Sequence, residues 1–167
     1  MNESNLSIVT FWIDDQRFAL PLACVEEVIR AVAIRTVAGT SEMIQGVIDF
    51  HGTIIPTINL RRRFGLPERS IAVNDRIIIV DADQRKLAAV VDQVGSIKHV
   101  CKDDLAYLPI GGRADFQGNK EDSNMLDPIL LRDKDGIVVI YQLHRLINND
   151  MMMELDKLVQ QENPNSP

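Results

Sequence analysis

Apolar and polar positions along most of this chain alternate with period two or gather into short apolar runs, rather than recurring every 3.6 residues. Residues 7–13 read as a strand in which Ile8 and Val9 lead into Phe11 and Trp12. Asp14-Asp15-Gln16 is a polar turn and residues 17–20 the return strand, together a hairpin. Pro21 interrupts the pattern. Over residues 22–30, Val25, Val28 and Ile29 fall at helical spacing with Glu26 and Glu27 facing out, which fits one helical turn running into a strand. Residues 41–44 predict a short helix capped by Ser41, with Glu42 in its first turn. Two strands follow, at 46–50 and 53–60, across a His51-Gly52 turn, and Pro56 places the second at a sheet edge or a strand start. Residues 61–66 predict one helical turn closed by Gly65 and Pro67.

After a loop at 68–74, residues 76–81 and 86–91 read as strands across an Asp83-Gln84-Arg85 turn, and 95–100 as another strand. Residues 109–127, with Pro109, Gly111-Gly112 and Gly118-Asn119, read as a long loop. Residues 129–132 and 136–140 flank the Asp133-Lys134-Asp135 hairpin signal. A helix begins over 142–147, and 151–161 continues it or starts another, with Met152, Leu155, Leu158 and Val159 near one face. Residues 163–167 are a polar tail. Many short strands, frequent polar turns and little helix predict small barrels or a sandwich. No internal repeat is visible in the sequence.

At 167 residues the chain fits one domain, or two small halves sharing a core. Its 46% hydrophobic and 25% charged content is ordinary for a globular protein. The formal charge of -6 offers no basic field for a phosphate backbone, so nucleic acid is not an expected partner. Cys24 and Cys101 belong to no CxxC pair and read as free thiols of a reducing cytosol. Residues 1–7 lack the charged and apolar regions of a signal peptide, and no apolar run approaches the ~20 residues of a membrane helix. The expectation is a cytoplasmic protein that does not insert into a membrane.

Chemistry is sparse. His51, His99 and His144 are scattered without metal-ligand spacing, no glycine-rich phosphate loop or GxSxG elbow occurs, and no cofactor is expected. Asp81, Asp83 and Asp92 could be imagined as a carboxylate site, but Asp81 and Asp83 bound a turn, where aspartate is expected anyway. Asp133-Lys134-Asp135-Gly136 is too short for a calcium loop. Arg61-Arg62-Arg63 is either a solvated helix face or a docking point for an acidic partner. Met151-Met152-Met153 is either an adaptable binding surface or the packing of a terminal helix. With no convergent acid, base and nucleophile, an enzyme is not expected; a binding protein is.

Residues 45–66, running from Gln45-Gly46-Val47 through Gly52 and Pro56 to Asn59-Leu60-Arg61-Arg62-Arg63-Phe64-Gly65, resemble the central signature of the CheW family, roughly GVhNhRGxhhPhhDLRxxFG with h apolar. Residues 11–22 resemble the family's opening hairpin, Val25-Glu26-Glu27-Val28 its VxEI element, and Asp75 to Val80 with Ala89-Val90-Val91-Asp92-Gln93-Val94 its riiiv…gllVDxV element. Residues 137–147 resemble the last strand and final helix. As an ordered set over about residues 8–147, these matches are specific.

The resemblance implies a mainly β fold of two intertwined SH3-like five-stranded barrels, followed by a short C-terminal helix and tail at 148–167. One half would hold about 8–18 plus 76–147, the other about 19–75. It also implies a scaffold that couples chemoreceptor hairpins, bound in the groove between barrels, to the regulatory domain of the histidine kinase CheA, bound by barrel-to-barrel contact at membrane-associated receptor arrays. Gly46, Val47, Gly52 and Ile54 are then expected at or supporting the kinase-facing surface, and Glu27, Val28, Asn59 and Val94 near the receptor groove. Gly46→Asp is expected to abolish kinase binding with the fold intact. The chain departs from the family at His51 (usually arginine, paired with the glutamate matching Glu27), at Asp49 (commonly asparagine) and at Asn59 (aspartate), which points to a non-flagellar pathway or a divergent paralogue. A groove that binds a small metabolite is the alternative.

Overall fold

The computed structural model describes residues 5–107, 128–147 and 149–162; the loop expected at 109–127 and the tail at 163–167 lie outside them. Strands β1 (Asn5–Ile13) and β2 (Gln16–Pro21) form the expected hairpin, and a 3₁₀ turn at Leu22–Cys24 leads into β3 (Val25–Arg30). Strands β4 (Ile44–Phe50) and β5 (Thr53–Ile58) precede the one-turn helix α1 (Leu60–Arg63). Then come β6 (Arg76–Ala82), β7 (Arg85–Val91), β8 (Gln93–Cys101), a 3₁₀ turn at Lys102–Asp104, and β9 (Leu105–Tyr107). Strands β10 (Ile129–Asp133) and β11 (Gly136–Ile140) are followed by helices α2 (Leu143–Leu146) and α3 (Asn149–Glu162).

Two sheets result, in the orders β8-β1-β2-β11-β10-β9 and β3-β6-β7-β5-β4. In the first, β8 and β9 are one strand bent at a 3₁₀ turn, which makes a five-stranded barrel. The second is closed by Arg35, just beyond β3, which exchanges both backbone hydrogen bonds with Val47 of β4 at 2.9 and 2.8 Å. The two barrels are topological copies. Each contains one parallel pair, β2 with β11 and β5 with β7, and each ends in a short helix. The intertwining is an exchange of hairpins: β1–β2 completes the barrel of β8–β11, and β6–β7 completes that of β3–β5. The expected division at residues 75 and 76 therefore moves. Residues 76–91 pair with the second barrel and β2 with the first, because a hairpin is the smallest unit whose own hydrogen bonds survive such an exchange.

This topology explains the sequence pattern. In β1, Ile8 points into the first barrel and Phe11 and Ile13 into the core between barrels, so both faces are buried and the strand is nearly all apolar. The inter-barrel core joins Phe11, Phe18, Leu20, Ile58, Leu60, Ile78 and Val91 to Leu143, Met151, Leu155 and Leu158, so α2 and α3 seal the junction. Burial of a side chain such as Leu155 contributes roughly 1.5–3 kcal/mol. Of the methionine triplet, Met151 is in this core and Met153 is exposed.

Three local expectations change. Residues 41–44 form a turn, Ile44 N–H to Ser41 O at 3.0 Å, because the run is too short to extend a helix before β4 begins. Pro56 lies on an internal strand, where it faces Val47 of β4 and precedes the β7 pairing that starts at Thr57. The second strand of that hairpin stops at Ile58, since Asn59 caps α1. As expected, Gly65 (φ +66) ends α1; its N–H reaches Arg62 O at 3.2 Å and that of Leu66 reaches Arg61 O at 2.8 Å, a Schellman closure.

Candidate functional site

The residues expected on the kinase-facing side divide into two kinds. Gly46 follows a bulge between Ile44 and itself and has φ +147, and it and Val47 are buried. A Cβ at Gly46 would overlap the Arg35 carbonyl oxygen and lie 2.8 Å from Ile34 Cγ2. Both residues thus close the second barrel, and the expectation that Gly46→Asp leaves the fold intact fails for lack of space. Gly52 is exposed in the β4–β5 turn, where it follows His51 with both φ positive (52° and 81°) and its N–H donates to Asp49 Oδ1 at 2.8 Å. Ile54 is half-buried and lines a groove of about 400 Å³ between β5, the β6–β7 turn and the Leu155–Val159 side of α3. Arg85 of that turn pairs with Asp156 of α3 at 2.7 Å.

On the receptor side, Glu27 and Val28 lie exposed on β3, opposite Ile79 and Ile78 of β6. Directly opposed residues project from the same face, so Val28 shares the face of Ile78 at the rim of the inter-barrel core. Val94 of β8 opposes Phe11 and packs against the same core from the other barrel. The position in β8 that corresponds to Val28 is Ile97, which opposes Val9 and is 54% exposed. Sequence reasoning passed over Ile97, because its correspondence to Val28 follows from the barrel repeat alone. Asn59 stands apart from Glu27 and Val28. It caps α1 by accepting from Arg62 N–H at 3.0 Å and donates to Glu68 Oε1 at 2.9 Å. An aspartate could cap but could not donate, which gives that departure a structural reason.

His51 does face Glu27, at 3.8 Å, with 74% and 48% of the side chains exposed. An ion pair so open is worth under about 1 kcal/mol. His51 also packs edge-on against Phe50, ring centres 4.3 Å apart.

The arginine run is not a uniform basic face. Arg61 is 11% exposed and bonds Asp14 of the β1–β2 turn at 2.9 Å, Asp92 at 2.7 Å and Pro67 O at 2.9 Å. Arg69 bonds Asp92 at 2.7 Å and Asp75 at 2.8 Å, and the Asp14 N–H donates to Asp92 at 2.7 Å. Burial alone would raise the Asp75 carboxyl, but its bonds to Arg69 and the Ala72 N–H outweigh this and hold it below the carboxylate range. The network ties α1 and the 68–75 loop of one barrel to the first turn of the other, through Asp92 at the β7–β8 junction. It walls a pocket of about 350 Å³ that Asn59 also lines. The two guanidiniums there, Arg61 and Arg69, are already matched by carboxylates. Arg62 pairs with Glu42 at the surface. The sequence signal that could have found this network is the family-like spacing of Arg61 and Asp92, read as charge partners.

The other candidates resolve into structure. Asp81 accepts the Gln84 N–H at 2.8 Å in its turn, far in role from Asp92. Asp133 closes the β10–β11 hairpin, and hydrogen bonds from Lys98, Arg17 and the Lys134 N–H hold its carboxyl well below the usual range. Burial pushes the Cys24 thiol up to about 11, while Cys101 is exposed. Among the described residues no group of three His, Cys, Asp or Glu could hold a metal ion, and no helix is long and apolar enough to cross a membrane.

Comparison with known proteins agrees with this geometry. The chain is 20% identical over 165 residues to the chemotaxis protein CheW of Treponema pallidum, covering 95% of this chain and 91% of the relative. It is 22% identical to CheW of Helicobacter pylori, covering 89% and 86%. The crystal structure of the scaffolding protein TtCheW from Thermoanaerobacter tengcongensis matches with a TM-score of 0.72 at 27% identity, covering 88% of this chain and 95% of that one. The family model described as CheW-like domain matches residues 7–151, and with two SH3-like barrels joined as described, the chain belongs to the CheW-like family.

Proposed function

We propose that this chain is a non-catalytic scaffold of chemotaxis signalling, which couples chemoreceptor hairpins to the regulatory domain of the histidine kinase CheA. The observation that carries the reading is a pair of exposed apolar residues on corresponding strands, Val28 of β3 and Ile97 of β8, with Val94 of β8 packed on the inter-barrel core. Exposed apolar residues at corresponding positions of two barrels suit the apolar face of a long helix better than a small ligand. On the kinase side, Ile54 and Gly52 supply the contact, while Gly46 and Val47 keep the barrel closed beneath it. Recruitment to receptor arrays follows from the receptor contact, with no membrane insertion of its own. The His51 and Asp49 departures bear on which pathway uses it, and favour a non-flagellar one.

Titration calorimetry against each CheA regulatory domain and chemoreceptor hairpin of its own genome tests the reading. The expected result is a micromolar complex with one member of each class, the hairpin complex weakened by Ile97→Asp and the kinase complex by Ile54→Asp. A folded sample that binds none of them overturns it.

A further inference from the structure

The β3–β6 ladder of the second barrel carries a feature that folding alone disfavours. Arg30 of β3 and Arg76 of β6 are direct cross-strand partners. Like charges so placed repel. Among the described residues neither has a carboxylate within ion-pair distance; Arg76 donates to the backbone oxygens of Asn74 and Asp75 at 2.8 and 3.0 Å, and Arg30 is exposed. Because positions two apart on a strand share a face, Arg30 lies beside Val28 and Arg76 beside Ile78. On the same strand and the segments adjoining the pair are three of the most exposed large apolar residues: Val28 at 38%, Val32 at 42% and Val73 at 91%. The Ala31 N–H to Asp75 O bond, 3.1 Å, holds the Val32 and Val73 segments together. On a chain of net charge -6, a cation pair with no counter-ion among the described residues, with exposed valines on the same strand and the adjoining segments, is a local reversal of the surface.

From this charge complementarity we infer that Val28, Arg30, Val32, Val73 and Arg76 form one docking patch for an acidic amphipathic helix, whose carboxylate sits between the two guanidiniums and whose apolar side chains cover the valines. This rests on the receptor-coupling reading and names its chemistry: the receptor hairpin docks here with an acidic face. A single carboxylate between Arg30 and Arg76 converts a repulsive pair into a bridged one, a gain made only in the complex.

The test uses the full chain and a chemoreceptor hairpin fragment from its own genome. Arg30→Glu places an attractive Glu–Arg pair across β3 and β6, so its urea midpoint is expected at or above that of the wild type. Its hairpin affinity is expected to fall about tenfold or more, with a weaker salt dependence. Arg30→Lys is expected to retain most binding. A hairpin whose tip carboxylates are changed to amides should bind wild type and R30E alike. Equal affinity of R30E and wild type for the unmodified hairpin overturns the inference and leaves the coupling reading standing. Wild type that binds no hairpin overturns both. If phosphatidylserine vesicles retain wild type and not R30E while hairpin affinity is unchanged, the patch serves a lipid surface and the inference is overturned.

Discussion

Gly46→Ala asks whether this glycine is a contact or a closure. The substitution adds one methyl group to a residue at φ +147, and that group would overlap the Arg35 carbonyl oxygen and press on Ile34. Relief requires the 34–35 segment to leave β4, which gives up the 2.9 and 2.8 Å hydrogen bonds between Arg35 and Val47. At about 1 kcal/mol for each bond, and about 1–2 kcal/mol for an alanine in that backbone region, the loss comes to roughly 3–4 kcal/mol. For a chain of this size that lowers Tm by roughly 10 °C. Urea unfolding followed by circular dichroism should show a lower midpoint with an unchanged slope. Binding to the CheA regulatory domain, measured where the variant is still folded, should be close to that of the wild type. A midpoint within about 0.5 kcal/mol of wild type, together with lost kinase binding, would refute the closure argument and return Gly46 to the interface.

Adjacent arginines should behave differently in the same assay. Arg61→Ala strips Asp14 and Asp92 of a shared, nearly buried partner and is expected to cost about 2–4 kcal/mol, whereas Arg62→Ala breaks only a surface pair with Glu42 and should stay within about 0.5 kcal/mol; equal losses would contradict the network. Asp75 is held below its ordinary value of 3.8 in the folded state, so the unfolded chain binds its proton first as pH falls. Its contribution is complete above the unfolded value and disappears as pH drops toward the folded one, and Asp75→Asn should flatten the acid limb of stability as pH falls below the ordinary carboxylate value; a parallel limb in the variant would assign the acid sensitivity elsewhere.

Much of the fold was legible because strands and turns are local. The Asp14-Asp15 and His51-Gly52 turns, the Gly65 stop and the period-two runs each declare themselves within a few residues, and the motif order over residues 8–147 carried the family. What the pattern misplaced were assignments decided by partners distant in sequence. Pro56 looked like an edge residue because its missing N–H is visible in sequence, whereas the residue at which β7 begins to pair is not. The candidate sites followed the same rule. Val28 is exposed and Ile54 half-buried, while Gly46 and Val47, expected at or supporting the surface, are interior, since the segment that covers them, Ile34 and Arg35, carries no motif.

By itself, then, the sequence determined the class of fold, the positions of most strands and the kind of surface a partner would meet, since alternation and turn chemistry act over a few residues. Only the tertiary structure decided which hairpin completes which barrel, that Arg61 and Asp92 lock the two together, and that Arg30 stands opposite Arg76. These are pairings between segments far apart in the chain, such as Phe18 with Val139 and Asp14 with Asp92. Each is set by the burial of the inter-barrel core, an energy shared among many apolar side chains that no single stretch of the sequence displays.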